Sequence, residues 1–234
     1  MKTAIKLLFV TVSIALITAC GGGGSGGSST GPVASTSTFP LLTVLANTLQ
    51  ASSNTFSISG TVNGVAVTGS GTGTYGALSP GIFEGSPAQQ RTTTVTGSIV
   101  VNGQTIPLNS SSISWYNSNY SPLGSSGGED YAVVVGSAVI PATVRVNDTG
   151  TSYTNNRYSN SSKIVLRGTQ TVSYVVEADT ANTALLTVIS TNRNTSNTVT
   201  STSTQQVRIT PAGTFTRIKE TSLEGSTTLT LTYN

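Results

Sequence analysis

Residues 56–71 read FSISGTVNGVAVTGSG, and the fold turns on how this stretch is read. Phe56, Ile58, Gly60 and Val62 alternate with Ser57, Ser59 and Thr61. A period of two belongs to a β-strand with one face buried. Asn63-Gly64 interrupts the run, and Val65 and Val67 resume it. An Asn-Gly pair between alternating runs predicts a two-residue hairpin turn, since both central positions need positive φ. Counting back from that turn sets Ile58 against Gly69 and Phe56 against Gly71, so large side chains would lie over glycines.

The same plan recurs around Asn102-Gly103. Val95, Gly97, Ile99 and Val101 lead in, and Ile106 and Leu108 return on the same face. SGTVNG and TGSIVVNG form a weak internal repeat. Further strands are expected at residues 131–146, apolar on both faces as far as Ile140, and on one face through Ile164, Leu166, Val172, Tyr174 and Val176. Residues 185–189, 199–209, 215–218 and 229–233 complete the set, with turns at 192–197 and at Thr210-Pro211-Ala212-Gly213. Residues 40–50 predict the one helix: Leu41, Leu45 and Leu49 share a face, and Pro40 suits its first position. Three longer connections, residues 77–90, 117–130 and 147–162, read as loops. The expected fold is mainly β, an antiparallel meander closed as a β-sandwich or curled as a partial β-barrel, with one short N-terminal helix.

Composition supports order. The chain holds 41 Thr and 34 Ser among 234 residues, and only 8% of residues are charged. Disordered chains of low charge lack β-branched and aromatic residues, whereas here they recur in alternation. Eleven basic residues against eight acidic, with no dense Lys/Arg cluster, leave no nucleic-acid footprint.

The N-terminus carries an address. Lys2 and Lys6 precede an apolar run from Leu7 to Ile17, and small residues lead to Cys20. That layout is a secretory signal peptide over residues 1–19. The run is too short for a permanent span, which needs about 20 apolar residues. Leu16-Ile17-Thr18-Ala19-Cys20 resembles the lipobox of bacterial lipoproteins. The resemblance implies cleavage after Ala19, diacylglycerol on the Cys20 sulfur and acylation (palmitate-type) of the new amino group. An ordinary secretory signal with a chance cysteine is the alternative. Cys20 is the only cysteine, and an exported chain normally uses cysteines in pairs, so lipidation gives it a purpose. Two acyl chains anchor stably where one does so only marginally. Gly21, where aspartate would favour inner-membrane retention, suggests an outer-membrane lipoprotein of the cell envelope. Residues 20–39, Gly- and Ser-rich at the start, form a flexible tether with a reach of roughly 25 Å. Residues 40–234 form a single all-β domain.

The chain excludes much chemistry. It has no histidine, which removes the usual general base and the Ser-His-Asp triad, and an acylated Cys20 leaves no thiol. Gly124-Ser125-Ser126-Gly127-Gly128 fits a nucleophile-elbow pattern, but Gly23 to Gly27 fits it equally inside the tether. Gly71 to Gly76 fits a phosphate-loop pattern with no helix following. Asp148-Thr149-Gly150 resembles the aspartic-protease signature in a single copy and reads as a turn. Glu129-Asp130, or Glu177 with Asp179 and Asn182, lack the oxygens that calcium needs. No catalytic residue, metal site or cofactor is expected.

Tyr153, Arg157 and Tyr158, in the expected loop 147–162, are candidates for a ligand surface, since aromatic faces with guanidinium and amide donors suit a glycan. Three functions remain: a non-catalytic structural or binding protein anchored to the membrane, with an envelope protein or glycan as partner; a carrier of an apolar or glycan ligand, which requires a cavity within the sheet; and a carboxylate glycan hydrolase, which requires two acids converging in one cleft.

Overall fold

The computed structural model describes residues 31–128 and 130–234. The expected signal peptide, the lipobox-like run ending at Cys20, and residues 21–30 of the expected tether lie outside the described residues, as does Glu129.

The two Asn-Gly hairpins form as the alternation requires. Strand β1 (Ser52–Val62) and β2 (Val65–Tyr75) pair with Ile58 opposite Gly69 and Phe56 opposite Gly71. Asn63 and Gly64 take φ of 51° and 78°, and Asn102 and Gly103 take 50° and 72°. The second hairpin joins β4 (Ser86–Val101) to β5 (Gln104–Tyr116). β2 also pairs with β4, which sets Gly71 opposite Gly97. A Cβ at Gly71 would stand 2.7 Å from Cζ of Phe56 and 2.5 Å from the Thr96 carbonyl oxygen, so only glycine lets the ring lie there. The short β3 (Ser79–Phe83) pairs with the first residues of β4.

The rest of the chain is an antiparallel meander: β6 (Pro122–Gly127), β7 (Asp130–Val134), β8 (Thr149–Tyr158), β9 (Leu166–Thr180), β10 (Thr183–Asn194), β11 (Val199–Ile209), β12 (Phe215–Glu224) and β13 (Thr227–Tyr233). β13 then pairs with β1, Leu231 opposite Ile58. The meander thus meets its own beginning. Twelve strands, all but β3, form a closed antiparallel barrel, neither the sandwich nor the partial barrel expected. Closure leaves the ring without an edge strand open to pairing with another chain.

Several expected loops are strand. Residues 79–83 and 86–90 form a hairpin, 122–127 is β6, and 149–158 is β8. On β6 and β8 the inward positions carry Ser, Gly, Asn and Arg beside Tyr153, so the apolar alternation that marks a strand is missing. The reverse error falls on residues 131–146. Only Asp130–Val134 is strand, and 135–148 is the real loop, with Val135 and Val139 exposed. Ile164 likewise sits in the exposed β8–β9 connection and not on β9. Asn192 to Asn194 extend β10 before the turn begins.

Helix α1 (Leu41–Thr48) sits in one mouth of the barrel. The chain approaches it along the rim: Val33 bridges Asp179, and Phe39, wholly buried, pairs with Val144. Leu41 and Val44 then pack on Val176, Ala184, Leu186, Val207 and Ile209 of β9–β11. Arg91 donates from Nη1 to the Thr48 carbonyl at 2.5 Å, and Asn47 donates to the Gly213 carbonyl at 2.9 Å. A second core fills the far side, where Phe56, Ile58, Val67, Ile99, Leu108 and Leu229 meet. A third cluster uses the opposite side-chain set of β7: Phe83 of the β3–β4 hairpin lies over Gly124 and stacks on Trp115 (4.9 Å) and Tyr131 (5.8 Å).

On β1, β2 and β13 the outward face is Thr and Ser: Ser53, Thr55, Ser57, Ser59 and Thr61 on β1, Thr68, Ser70, Thr72 and Thr74 on β2, and Thr228, Thr230 and Thr232 on β13. Their hydroxyls take water on the outside while the Phe, Ile, Val and Leu between them take the inside.

Candidate functional site

Between α1 and the two inner cores the barrel keeps a cavity of ≈ 420 Å³. That volume lies within the range of small-molecule sites, roughly 300–1,000 Å³. Strand register arranges its wall in rows. Arg217 stands opposite Val207, and Val207 opposite Leu186. In the next row Leu231 faces Glu220, Glu220 faces Gln205, and Gln205 faces Val188. All of these line the cavity. The β-bulge between Gln206 and Val207 lets both Arg217 and Glu220 turn inward although they are three residues apart.

Two guanidiniums lie over the Tyr75 ring here. Arg217 stands over the Tyr75 ring at 4.0 Å from its centroid, and Arg91 at 5.4 Å. Arg217 is only 7% exposed, and its Nε has no hydrogen-bond partner; the buried Nε of Arg91 has none either. Burial pulls the Arg91 guanidinium below its ordinary value, and the charge of Arg217 adds to that. Burial pushes the Glu220 carboxyl up, opposed by the charge of Arg217 and by a 3.4 Å hydrogen bond donated by the Tyr233 hydroxyl. The Tyr75 and Tyr233 hydroxyls lie 3.3 Å apart, and burial raises Tyr233 in turn.

A second polar group lines the same cavity on β7–β9. Arg157 donates to Asp130 at 2.5 Å, with Arg167 3.7 Å from the other carboxylate oxygen. Asn155 donates to Gln170 at 2.8 Å. Glu224 projects from β12 into the field of this group: burial raises its carboxyl, Arg157 opposes the rise and Asp130 adds to it. These acids therefore sense one another, but Asp130 is already held by two arginines.

Of the residues singled out from the sequence, Tyr153 and Arg157 line the cavity. Tyr153 is enclosed, and burial pushes its phenol up. Tyr158 belongs to the alternate side-chain set, opposite Tyr131 and Leu166. All three stand on β8 and not on a loop. Asp148 accepts from the Arg145 amide at 2.8 Å and is the turn aspartate expected. Glu177 and Asp179 end β9 on its outer face, bound to Thr187 and to Arg208 and Thr183. Ser126 lies within β6, paired with Tyr131, and Gly71 to Tyr75 lie within β2. The sequence reading missed Arg91, Arg217, Glu220 and the Tyr75–Tyr233 pair. One signal was available: Arg91 is in phase with Val95 and Ile99, and Arg217 with Phe215, so each charge sits at a core position of its own strand.

No protein-family model matches the chain, and neither a curated protein nor a solved structure matches it.

Proposed function

We propose that this is a lipid-anchored protein of the outer membrane, held through Cys20, whose barrel is a non-catalytic binding module that takes a small ligand into its lumen. The observation that carries the binding half is the partly open cavity of ≈ 420 Å³ with both apolar wall and convergent polar groups. The anchor half rests on the lipobox-like run ending at Cys20 and on its solitary cysteine. The Thr/Ser exterior supports a barrel that stands in water at the end of a tether, since a membrane-spanning barrel presents an apolar band to lipid. Among the described residues no helix is long and apolar enough to cross a membrane. The carboxylate hydrolase gains little, because Asp130 is engaged by Arg157 and Arg167.

The test is native mass spectrometry of the intact protein drawn from envelopes in mild detergent. A stoichiometric small molecule released on unfolding is the expected result; an empty barrel from every preparation would refute the binding module. For the anchor, Cys20→Ser should leave the membrane fraction, and its retention there would refute lipidation.

A further inference from the structure

We propose that the lumen selects an amphipathic organic anion, with the acidic headgroup seated between Arg91 and Arg217 and the apolar body lying along Val207, Leu186 and Val188. The proposal rests on the reading of the lumen as a binding site and adds the chemical class of its ligand.

The argument begins with charge. A guanidinium carries five donors and stays charged throughout the ordinary pH range. Removing one from water costs several kcal/mol unless hydrogen bonds and an opposite charge replace the solvent. Arg217 is 93% buried, lines the cavity and leaves its Nε without a partner. Arg91 adds a second, half-buried guanidinium at the same Tyr75 ring; its Nη1 donates to the Thr48 carbonyl, and its Nε has no partner. Two like charges beside one ring repel, and the ring offsets only part of that cost. The neighbouring acid is Glu220, whose carboxyl burial pushes up while the charge of Arg217 and the Tyr233 hydrogen bond oppose the rise. Two cations therefore meet one acid at most. The cluster is short of negative charge, and planar guanidiniums pair best with a carboxylate or phosphate oxygen pair.

The register places the apolar body. Arg217, Val207 and Leu186 stand in one row across β12, β11 and β10. Val188 stands in the next row, with Leu231 on the far side of Glu220. A headgroup at the arginines therefore leaves the rest of a ligand against aliphatic wall.

The experiment titrates the whole chain, followed calorimetrically, with three probes sharing one alkyl body: dodecanoate, dodecanol and dodecyltrimethylammonium. Saturable one-to-one binding of dodecanoate, at least tenfold tighter than dodecanol and far tighter than the cation, is expected. Arg217→Met should remove that tenfold preference. Equal binding of dodecanoate and dodecanol by the unaltered chain would overturn the anion site while leaving a lumen that binds apolar bodies. This comparison needs no variant, so it decides the matter even if Arg217→Met does not fold. Failure of all three probes, with emptiness of the native barrel, would remove the binding module itself and this proposal with it.

Discussion

Truncation of Phe83 to alanine probes how the β3–β4 hairpin is held on the barrel. Phe83 is 6% exposed, and its ring fills the space over Gly124, where a Cβ would come within 2.3 Å of its Cζ. It stacks on Trp115 and Tyr131, and such ring pairs add about 0.5–1.5 kcal/mol each beyond area burial. A buried Phe→Ala change costs about 3–5 kcal/mol when the cavity cannot collapse. β3 pairs with β4 alone, so the hairpin can relax or open locally, which places the cost near the lower end, about 3 kcal/mol. Glu84, bonded to Tyr131 at 2.6 Å and to Lys163, still tethers the tip. Trp115 is the only tryptophan in the chain, so its emission reports this contact directly. Urea unfolding followed by that emission should show a midpoint lowered by about 1.5 M, taking a slope of about 2 kcal/mol/M. The folded-state emission should also shift to the red as water reaches the indole. A midpoint moved by less than about 0.5 M, with emission unchanged, would mean that the hairpin does not depend on Phe83 and that the reasoning about this cluster is wrong.

Asp130→Asn should destabilise by about 3–5 kcal/mol, because it leaves Arg157 buried without its carboxylate; thermal melts compared with the unaltered chain would expose a smaller loss. Gly71→Ala should cost about 1–3 kcal/mol by driving a methyl into Phe56 and the Thr96 carbonyl, whereas Gly31→Ala, with open space around it, should be neutral in the same assay. The hydrogen bond from Arg208 holds the Asp179 carboxyl below its ordinary value. The folded chain thus binds fewer protons at this site than the unfolded one, and the pair's stabilisation is complete above the ordinary carboxylate value and is lost as pH falls through the lowered one. Asp179→Asn should therefore be less stable than the parent at pH 7 by under about 1 kcal/mol, as befits a partly exposed pair, and indistinguishable from it in strong acid; a gap that widened on acidification would contradict the assignment.

Where inward positions were apolar, the strands were legible from the sequence with their register. Phe56 and Ile58 found Gly71 and Gly69 as the Asn63-Gly64 turn required, and residues 199–209 matched β11 residue for residue. Where the barrel turns polar groups inward, the same method failed. β8 carries Tyr153, Asn155 and Arg157 toward the cavity, and β6 carries Ser and Gly, so neither shows apolar alternation. Conversely Val133, Val135 and Val139 promised a buried strand, but only the first packs on a core, the one outside the barrel. Hydrophobic period reports burial in an apolar core, and a strand facing a polar lumen has a different signature.

The local matters were readable along the chain: β-strands joined by tight turns, a Leu-spaced helix after Pro40, a histidine-free chain of low charge, and the lipobox-like run at Cys20. These depend on residues close together along the chain, whose φ preferences and side-chain alternation are set by their neighbours. Only the tertiary structure decided that β13 closes on β1, that α1 enters the mouth, and that Arg91, Arg217, Tyr75 and Glu220 share one enclosure. Arg91 and Arg217 lie on β4 and β12, far apart in sequence, and it is the closing of the ring that brings their strands to the same cavity. Desolvation acts only after that closure, so the burial of these charges is a property of the closed barrel and of no single strand.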